Sequence, residues 1–167
     1  LRAWGLPTAE VDGWRDRGKP TMNPQGVIIH HDALHSSVPG AQAIGLMVRG
    51  RPDVPGPLCH LWIDDDNDHT AQTGDPVVYV VASGKANHAG AGGIRGLTGN
   101  SQVIGIEARN AGNGERWSDP MALTYIRTCA ALCAHLGRDA SWVFGHREWA
   151  PRRKPDPVGI DLPAFRR

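Results

Sequence analysis

The chain has 167 residues, enough for one domain with a buried core. Hydrophobic residues make up 40% and charged residues 21%, a globular balance that excludes a disordered or fibrous chain. The net charge of +1 excludes the strong basic field of a dedicated nucleic-acid binder, and no apolar run reaches the about 20 residues of a membrane span.

Twenty-one glycines and thirteen prolines predict many turns and long loops. Three cysteines, Cys59, Cys129 and Cys133, are too few and too uneven for a disulfide framework. No secretory signal stands at the start, and Leu1 in place of Met suits one domain of a longer protein. Residues 1–25 mix Trp4, Trp14, charges and prolines, and read as an irregular arm packed on a domain that spans 26–167.

Residues 26–30 predict the first strand, which runs straight into His30, His31 and Asp32. Residues 41–49 predict a helix with Ile44, Met47 and Val48 on one face, stopped by Gly50. Residues 51–57 are proline-rich loop, a candidate groove wall. Residues 58–64 predict a second strand. The acidic run Asp65, Asp66, Asn67, Asp68 lacks the glycine and distal glutamate of a calcium loop, so it reads as a hairpin turn, with 70–73 as a return strand. Residues 77–81 are a further apolar segment. Gly90, Gly92 and Gly93 lie outside a strand-to-helix context, so they predict a flexible loop that a ligand can approach, not a dinucleotide fingerprint. Residues 103–108 predict a strand that carries Glu107 among apolar neighbours, where a carboxylate is costly unless paired. From Asp119 and Pro120 a helix runs to Gly137, capped by Ser118 or Asp119, with Leu123, Ile126, Ala130, Cys133 and Leu136 as its apolar stripe. Cys129 and Cys133 share a face and read as small core residues. Residues 142–146 predict the last strand, and 161–165 a short helix with Pro163 in its first turn. Strands interleaved with helices predict an α/β fold, a central mixed sheet flanked by helices.

Two stretches carry the candidate chemistry. One ends a buried strand on His30 and His31. The other runs from Gly145 and His146 to Lys154, Pro155, Asp156 and Pro157, where the prolines exclude helix and central strand and demand an ordered loop. Histidines at strand ends and a proline-held aspartate can converge as metal ligands, since a catalytic zinc keeps three protein ligands and an open position. Strand alternation puts His30 and His31 on opposite faces and leaves open which of the two is the ligand. Glu107 reads either as a buried ion-pair member or as a general base.

These residues resemble the zinc-dependent N-acetylmuramoyl-L-alanine amidases, a family that includes phage endolysins, bacterial cell-wall amidases and peptidoglycan recognition proteins. The resemblance rests on Ile28-Ile29-His30-His31, Ile104-Gly105-Ile106-Glu107, Gly145-His146 and Arg153-Lys154-Pro155-Asp156-Pro157, in that order. It implies that His30, His146 and Asp156 hold Zn2+, with Glu107 shuttling the proton and Lys154 stabilising the oxyanion. It implies that His88, Asn87 and His60 contact the substrate, peptidoglycan. Leu58-Cys59-His60 lacks the tyrosine that some members carry there, which shifts the burden to Glu107. Trp62 and Trp149 are candidates for the groove or for the core. The resemblance implies a monomeric, endolysin-like lytic module, made in the host cytoplasm and released on the cell wall at lysis. The other reading is a peptidoglycan-binding module of the same fold that cuts nothing. A third, nucleic-acid binding through Arg147, Arg152, Arg153, Lys154, Arg166 and Arg167, lacks an aromatic platform.

Overall fold

The computed structural model describes residues 1–65 and 75–167. The expected turn from Asp66 to Asp68 and the return strand 70–73 lie outside them. Eight strands are described: β1 (Thr8–Glu10), β2 (Gly26–His31), β3 (Gly50–Arg51), β4 (Val54–Pro55), β5 (Leu61–Asp64), β6 (Val77–Val80), β7 (Val103–Ala108) and β8 (Val143–Gly145). The helices are α1 (Gly40–Arg49), α2 (Asp119–Leu136), α3 (His146–Trp149) and α4 (Leu162–Phe165). Six strands form one sheet in the order β1-β6-β5-β7-β2-β8, and β3 pairs with β4 as a small hairpin. Among the described strands of the large sheet the β5–β6 pairing alone is antiparallel, so the sheet is mixed, as expected.

Alternation along the strands divides the core. Val27, Ile29, Leu61, Ile63, Ile106 and Ala108 face α2 and α4. Ile28, Val103 and Phe144 face the other way, against Trp149 of α3. On that same side Trp62 packs with Ala43 and Met47 of α1. Trp62 and Trp149 are therefore core residues, at 0% and 1% exposure. Cys129 and Cys133 are buried in the α2 cluster, as expected for small core residues.

The N-terminal arm is not irregular throughout. β1 pairs in parallel with β6 and forms the edge of the sheet, and Leu6 is buried in the α2-side core. A strand of three residues is too short for periodicity to reveal. The predicted last strand also ends early, because His146 opens α3 and Ala140–Trp142 is a 3-10 turn.

α2 begins as the sequence predicts. The Ser118 side chain accepts from Met121 N, and Gly137 ends the helix with a left-handed φ of 63°. Its buried face differs from the predicted stripe: Met121, Thr124, Tyr125, Thr128, Cys129 and Cys133 are buried, while Leu123 is 56% and Ile126 39% exposed. The reason lies in the hydroxyls. Thr128 donates to the Thr124 carbonyl at 2.7 Å within the helix. Tyr125 Oη accepts from His30 N–H at 2.8 Å and faces the carbonyls of Ile106 and His30 at 2.8 and 2.9 Å. One phenol thus stitches β2 to β7 immediately beneath the histidine. Removing a partner strands a buried backbone donor, which costs about 1–3 kcal/mol. Tyr125→Phe is expected to lose about that much stability in urea unfolding.

Candidate metal centre

The parallel strands β5, β7 and β2 end at one edge of the sheet. Open α/β sheets bind ligands outside the carboxyl ends of their strands. Register sets the row there: Trp62 lies beside Glu107, and Glu107 beside His30. His146 follows β8 directly, at the first position of α3. Asp156 arrives on the proline-rich loop, which Arg147 fastens. The Arg147 amide donates to the Asp156 carbonyl at 2.7 Å, and its guanidinium donates to the carbonyls of Pro157 and Ile160.

Three side-chain atoms converge. His30 Nδ1 lies 2.8 Å from His146 Nδ1 and 3.0 Å from Asp156 Oδ2, and the last two are 2.9 Å apart. All three residues are buried, and all three line one cleft. The outer nitrogens fix the protons. His146 Nε2 lies 2.9 Å from the Ala89 carbonyl, which can only accept, so that nitrogen carries the hydrogen. His88 Nε2 faces the Val103 carbonyl at 3.3 Å, which leaves His88 Nδ1 to accept from His30 Nε2 at 3.1 Å. Both Nδ1 atoms are then bare lone pairs aimed at a carboxylate oxygen.

Such a group could hold a cation between its members. Burial pushes the His30 imidazole down to about 4 against the pull of Asp156, which favours its neutral, ligating form at neutral pH. Burial opposes the charge on Asp156, yet the His146 and His30 rings hold its carboxyl well below the usual range. A tetrahedral ion with bonds of about 2.0–2.1 Å keeps its donors roughly 3.3 Å apart, so a small inward-facing triangle of two imidazoles and a carboxylate fits one with little adjustment.

Glu107 stands beside this group. Its Oε1 is 3.9 Å from His30 Nδ1, and its Oε2 is buried with no hydrogen-bond partner. Burial first, then the charges of Asp156 and Asp32, push its carboxyl well above the ordinary value. Lys154 and Arg51 line the same cleft and oppose that rise.

Other sequence expectations are redistributed. His31 also borders the cleft, but its Nδ1 accepts from Val158 N–H at 3.2 Å and stands outside the converging group, so geometry separates the two histidines that alternation left open. His88 touches the cleft wall but is only 8% exposed, and both its nitrogens are engaged inside the protein. Its ring also supports His30 from behind, with Nδ1 3.1 Å from His30 Nε2. Gly105 makes room for it, since a Cβ there would lie 2.3 Å from His88 Cγ. His60 is buried beneath the floor, accepting from Gly105 N–H at 2.9 Å, and is not a cleft residue. Asn87 does line the cleft, with its Nδ2 donating to the Pro55 carbonyl at 2.9 Å. The glycine-rich loop is pinned rather than free. Asn100 Oδ1 accepts from Ala89 and Gly90 N–H, and Arg153 donates to the carbonyls of Ala89 and Ala91. Arg147, Arg153 and Arg166 are thus fastened to the protein's own acceptors.

Sequence reasoning missed Tyr125, Arg147 and Asp32. Asp32 accepts from Leu34 N–H, Asn110 N–H and Trp62 Nε1 at 3.0 to 3.2 Å, which anchors the loops beyond β2 and β7. Burial still raises its carboxyl to about 6. The sequence signal was an aspartate directly after a strand, two residues before a free amide.

Sheet, cleft and converging donors define an α/β protein with a candidate metal centre at the carboxyl edge of its strands. Residues 20–159 match the family model for N-acetylmuramoyl-L-alanine amidase, and the chain belongs to that family. No curated protein matches it. Solved structures share the fold at low identity. AmiD from E. coli, solved with anhydro-N-acetylmuramic acid-L-Ala-D-γ-Glu-L-Lys, aligns at a TM-score of 0.62 and 22% identity over 84% of this chain and 54% of its own. AmpDh3 from Pseudomonas aeruginosa, in complex with an anhydromuramic pentapeptide, aligns at 0.66 and 18% over 80% of this chain and 55% of its own. A mutant endolysin from Bacillus subtilis aligns at 0.67 and 20% over 96% and 97%. The chain spans about half the length of AmiD and AmpDh3.

Proposed function

We propose that the chain is a zinc-dependent hydrolase of the amide between the lactyl group of N-acetylmuramic acid and L-alanine in peptidoglycan. The observation that carries this reading is the convergence of two imidazole nitrogens and a carboxylate on one point in an open cleft, in a chain of this family. His30, His146 and Asp156 would hold the ion. Bound zinc polarises carbonyls and lowers the pKa of water from about 15.7 toward 7.

The chain's own residues supply the rest. Glu107, unpartnered at Oε2 and raised in pKa, accepts a proton at neutral pH and returns it to the departing alanine nitrogen. Lys154, a cleft residue without an ion-pair partner among the described residues, offers its ammonium to the oxyanion. Asn87 and Arg51 line the cleft where the stem peptide would lie. A pure binding module would have no use for an unpaired carboxylate beside the donors, which favours catalysis over the binding-only reading. The endolysin likeness supports a lytic role on the cell wall, phage-borne and released at lysis, with the chain acting as a monomer. Mass spectrometry of purified peptidoglycan after incubation tests the reaction: new N-terminal L-alanine is expected, and intact muropeptides would overturn it.

His88 is part of this reading as the support of His30. Loss of such an outer partner typically lowers metal affinity 10–100-fold. His88→Ala is expected to weaken zinc binding by about that factor in chelator competition, while the midpoint of unfolding in the presence of excess zinc stays close to wild type. Unchanged zinc affinity would return His88 to the substrate.

A further inference from the structure

The groove continues past the candidate metal centre. Beyond Arg51, Asn87, His88 and Lys154 it opens into a hollow walled by Val54, Pro55 and Asn100. Past Pro55 and Asn87 a further hollow reaches Arg17, Lys19 and Lys85. The whole chain carries a net charge of only +1, yet this end is basic. Arg17 is engaged with the carbonyls of Val81 and Asp12. Among the described residues, neither Lys19 nor Lys85 is ion-paired.

The placement of these two lysines is built into the backbone. They oppose each other in an isolated antiparallel bridge, with Lys85 N–H donating to the Lys19 carbonyl at 2.7 Å. Gly84 N–H donates to the Arg17 carbonyl at 2.9 Å. Gly18 and Gly84 meet backbone to backbone, since a Cβ on Gly18 would lie 2.5 Å from the Gly84 carbonyl carbon. Directly opposed residues of an antiparallel pair hold their Cβ atoms about 4.5–5.5 Å apart on one face, and like charges there are destabilising. A fold that roots two lysines opposite each other at the end of a groove, with no ion-pair partner among the described residues, has the makings of an anion site.

Reach agrees. Three peptide units separate Lys85 from His88, whose ring contacts His30. An extended chain covers at most about 3.3–3.6 Å per residue, so the two Cα atoms lie within about 11 Å. An extended tetrapeptide starting at the candidate metal centre covers about 13–14 Å. The ligand of AmiD illustrates the chemistry: a peptide joined to the sugar at L-Ala, with carboxylates farther along.

We propose that Lys19 and Lys85 form an anion subsite that takes the free C-terminal carboxylate of a stem peptide whose first residue sits at the metal centre. This rests on the amidase reading for what the peptide is. Of the pair, Lys19 lies on the arm just ahead of the family match, which begins at residue 20, and Lys85 lies within it.

The test is calorimetric titration with the tetrapeptide L-Ala-γ-D-Glu-L-Lys-D-Ala and with its C-terminal amide, neither of which contains the bond to be cut. The wild type is expected to bind the acid roughly three- to tenfold more tightly than the amide, as two solvent-exposed ion pairs would give, and less so at high salt. Lys19→Ala/Lys85→Ala should bind both alike, and Lys19→Arg/Lys85→Arg should keep the preference. Equal or absent binding of acid and amide by the wild type overturns the subsite. A preference that survives in the double alanine variant overturns it too. Binding is read without cleavage, so a chain that shows this preference but releases no L-alanine termini would sink the amidase reading and leave the subsite standing.

Discussion

Glu107→Gln is expected to lower the release of L-alanine termini by about 10²–10⁴-fold, the usual contribution of a general acid–base group. The substitution keeps the shape and removes only the ability to take a proton. Glu107 is in register with His30 across β2 and β7, and its Oε2 has no protein partner. Structural ion pairs do not look like this, because they are satisfied. Stability gives an independent sign. Burial and the charges of Asp156 and Asp32 raise the folded-state carboxyl above its ordinary value of 4.5. A raised carboxyl disfavours folding once it must ionise. The unfavourable contribution is absent below about pH 4.5 and grows as pH rises toward the folded value. Metal-free Glu107→Gln is therefore expected to unfold at a higher temperature than metal-free wild type at pH 7, with the two converging near pH 4. A variant that is less stable at pH 7 and fully active per folded molecule would make Glu107 a structural residue.

Zinc binding is expected to fail in His30→Ala, His146→Ala and Asp156→Ala, and to persist in His31→Ala. The three converging atoms are 2.8 to 3.0 Å apart, whereas His31 Nδ1 is taken by Val158 N–H. Loss of one ligand of three should exceed the about 10–100-fold typical of outer-partner changes. Elemental analysis after dialysis measures it directly. Chelation offers a second readout. An ion that binds only the folded chain stabilises it by RT ln(1 + [L]/Kd), about 4.1 kcal/mol at a thousandfold excess over Kd. Chelator should lower the thermal midpoint of wild type and His31→Ala, and leave that of Asp156→Ala unchanged. Zinc retained by His30→Ala and lost by His31→Ala would reverse the assignment.

Both expectations combine sequence and structure in different measure. The strand ending on His30 and His31, the strand around Glu107 and the proline-held Asp156 were legible because period-two apolar runs and prolines act locally. The helix Asp119–Leu136 was legible from Ser118 and Gly137 for the same reason. Its buried face was not. Tyr125 and two threonines count as polar in any stripe, and their hydroxyls are satisfied only by carbonyls within reach once the helix is docked.

Local sequence was enough for most of the longer elements, the mixed α/β class and the short list of residues able to hold a metal. Local propensity, capping and alternation set these, and they need no partner. Tertiary structure decided which face each histidine serves. Parallel pairing of β2 with both β7 and β8 brings His30 to His146 and Glu107, residues separated by 116 and 77 positions in the chain. It also set His88 behind His30, with its nitrogens engaged by His30 of β2 and the Val103 carbonyl of β7. It gave the arm a strand at the sheet edge and set Lys19 opposite Lys85. Long-range pairing carries no local periodic signal, so those contacts exist only in the folded chain.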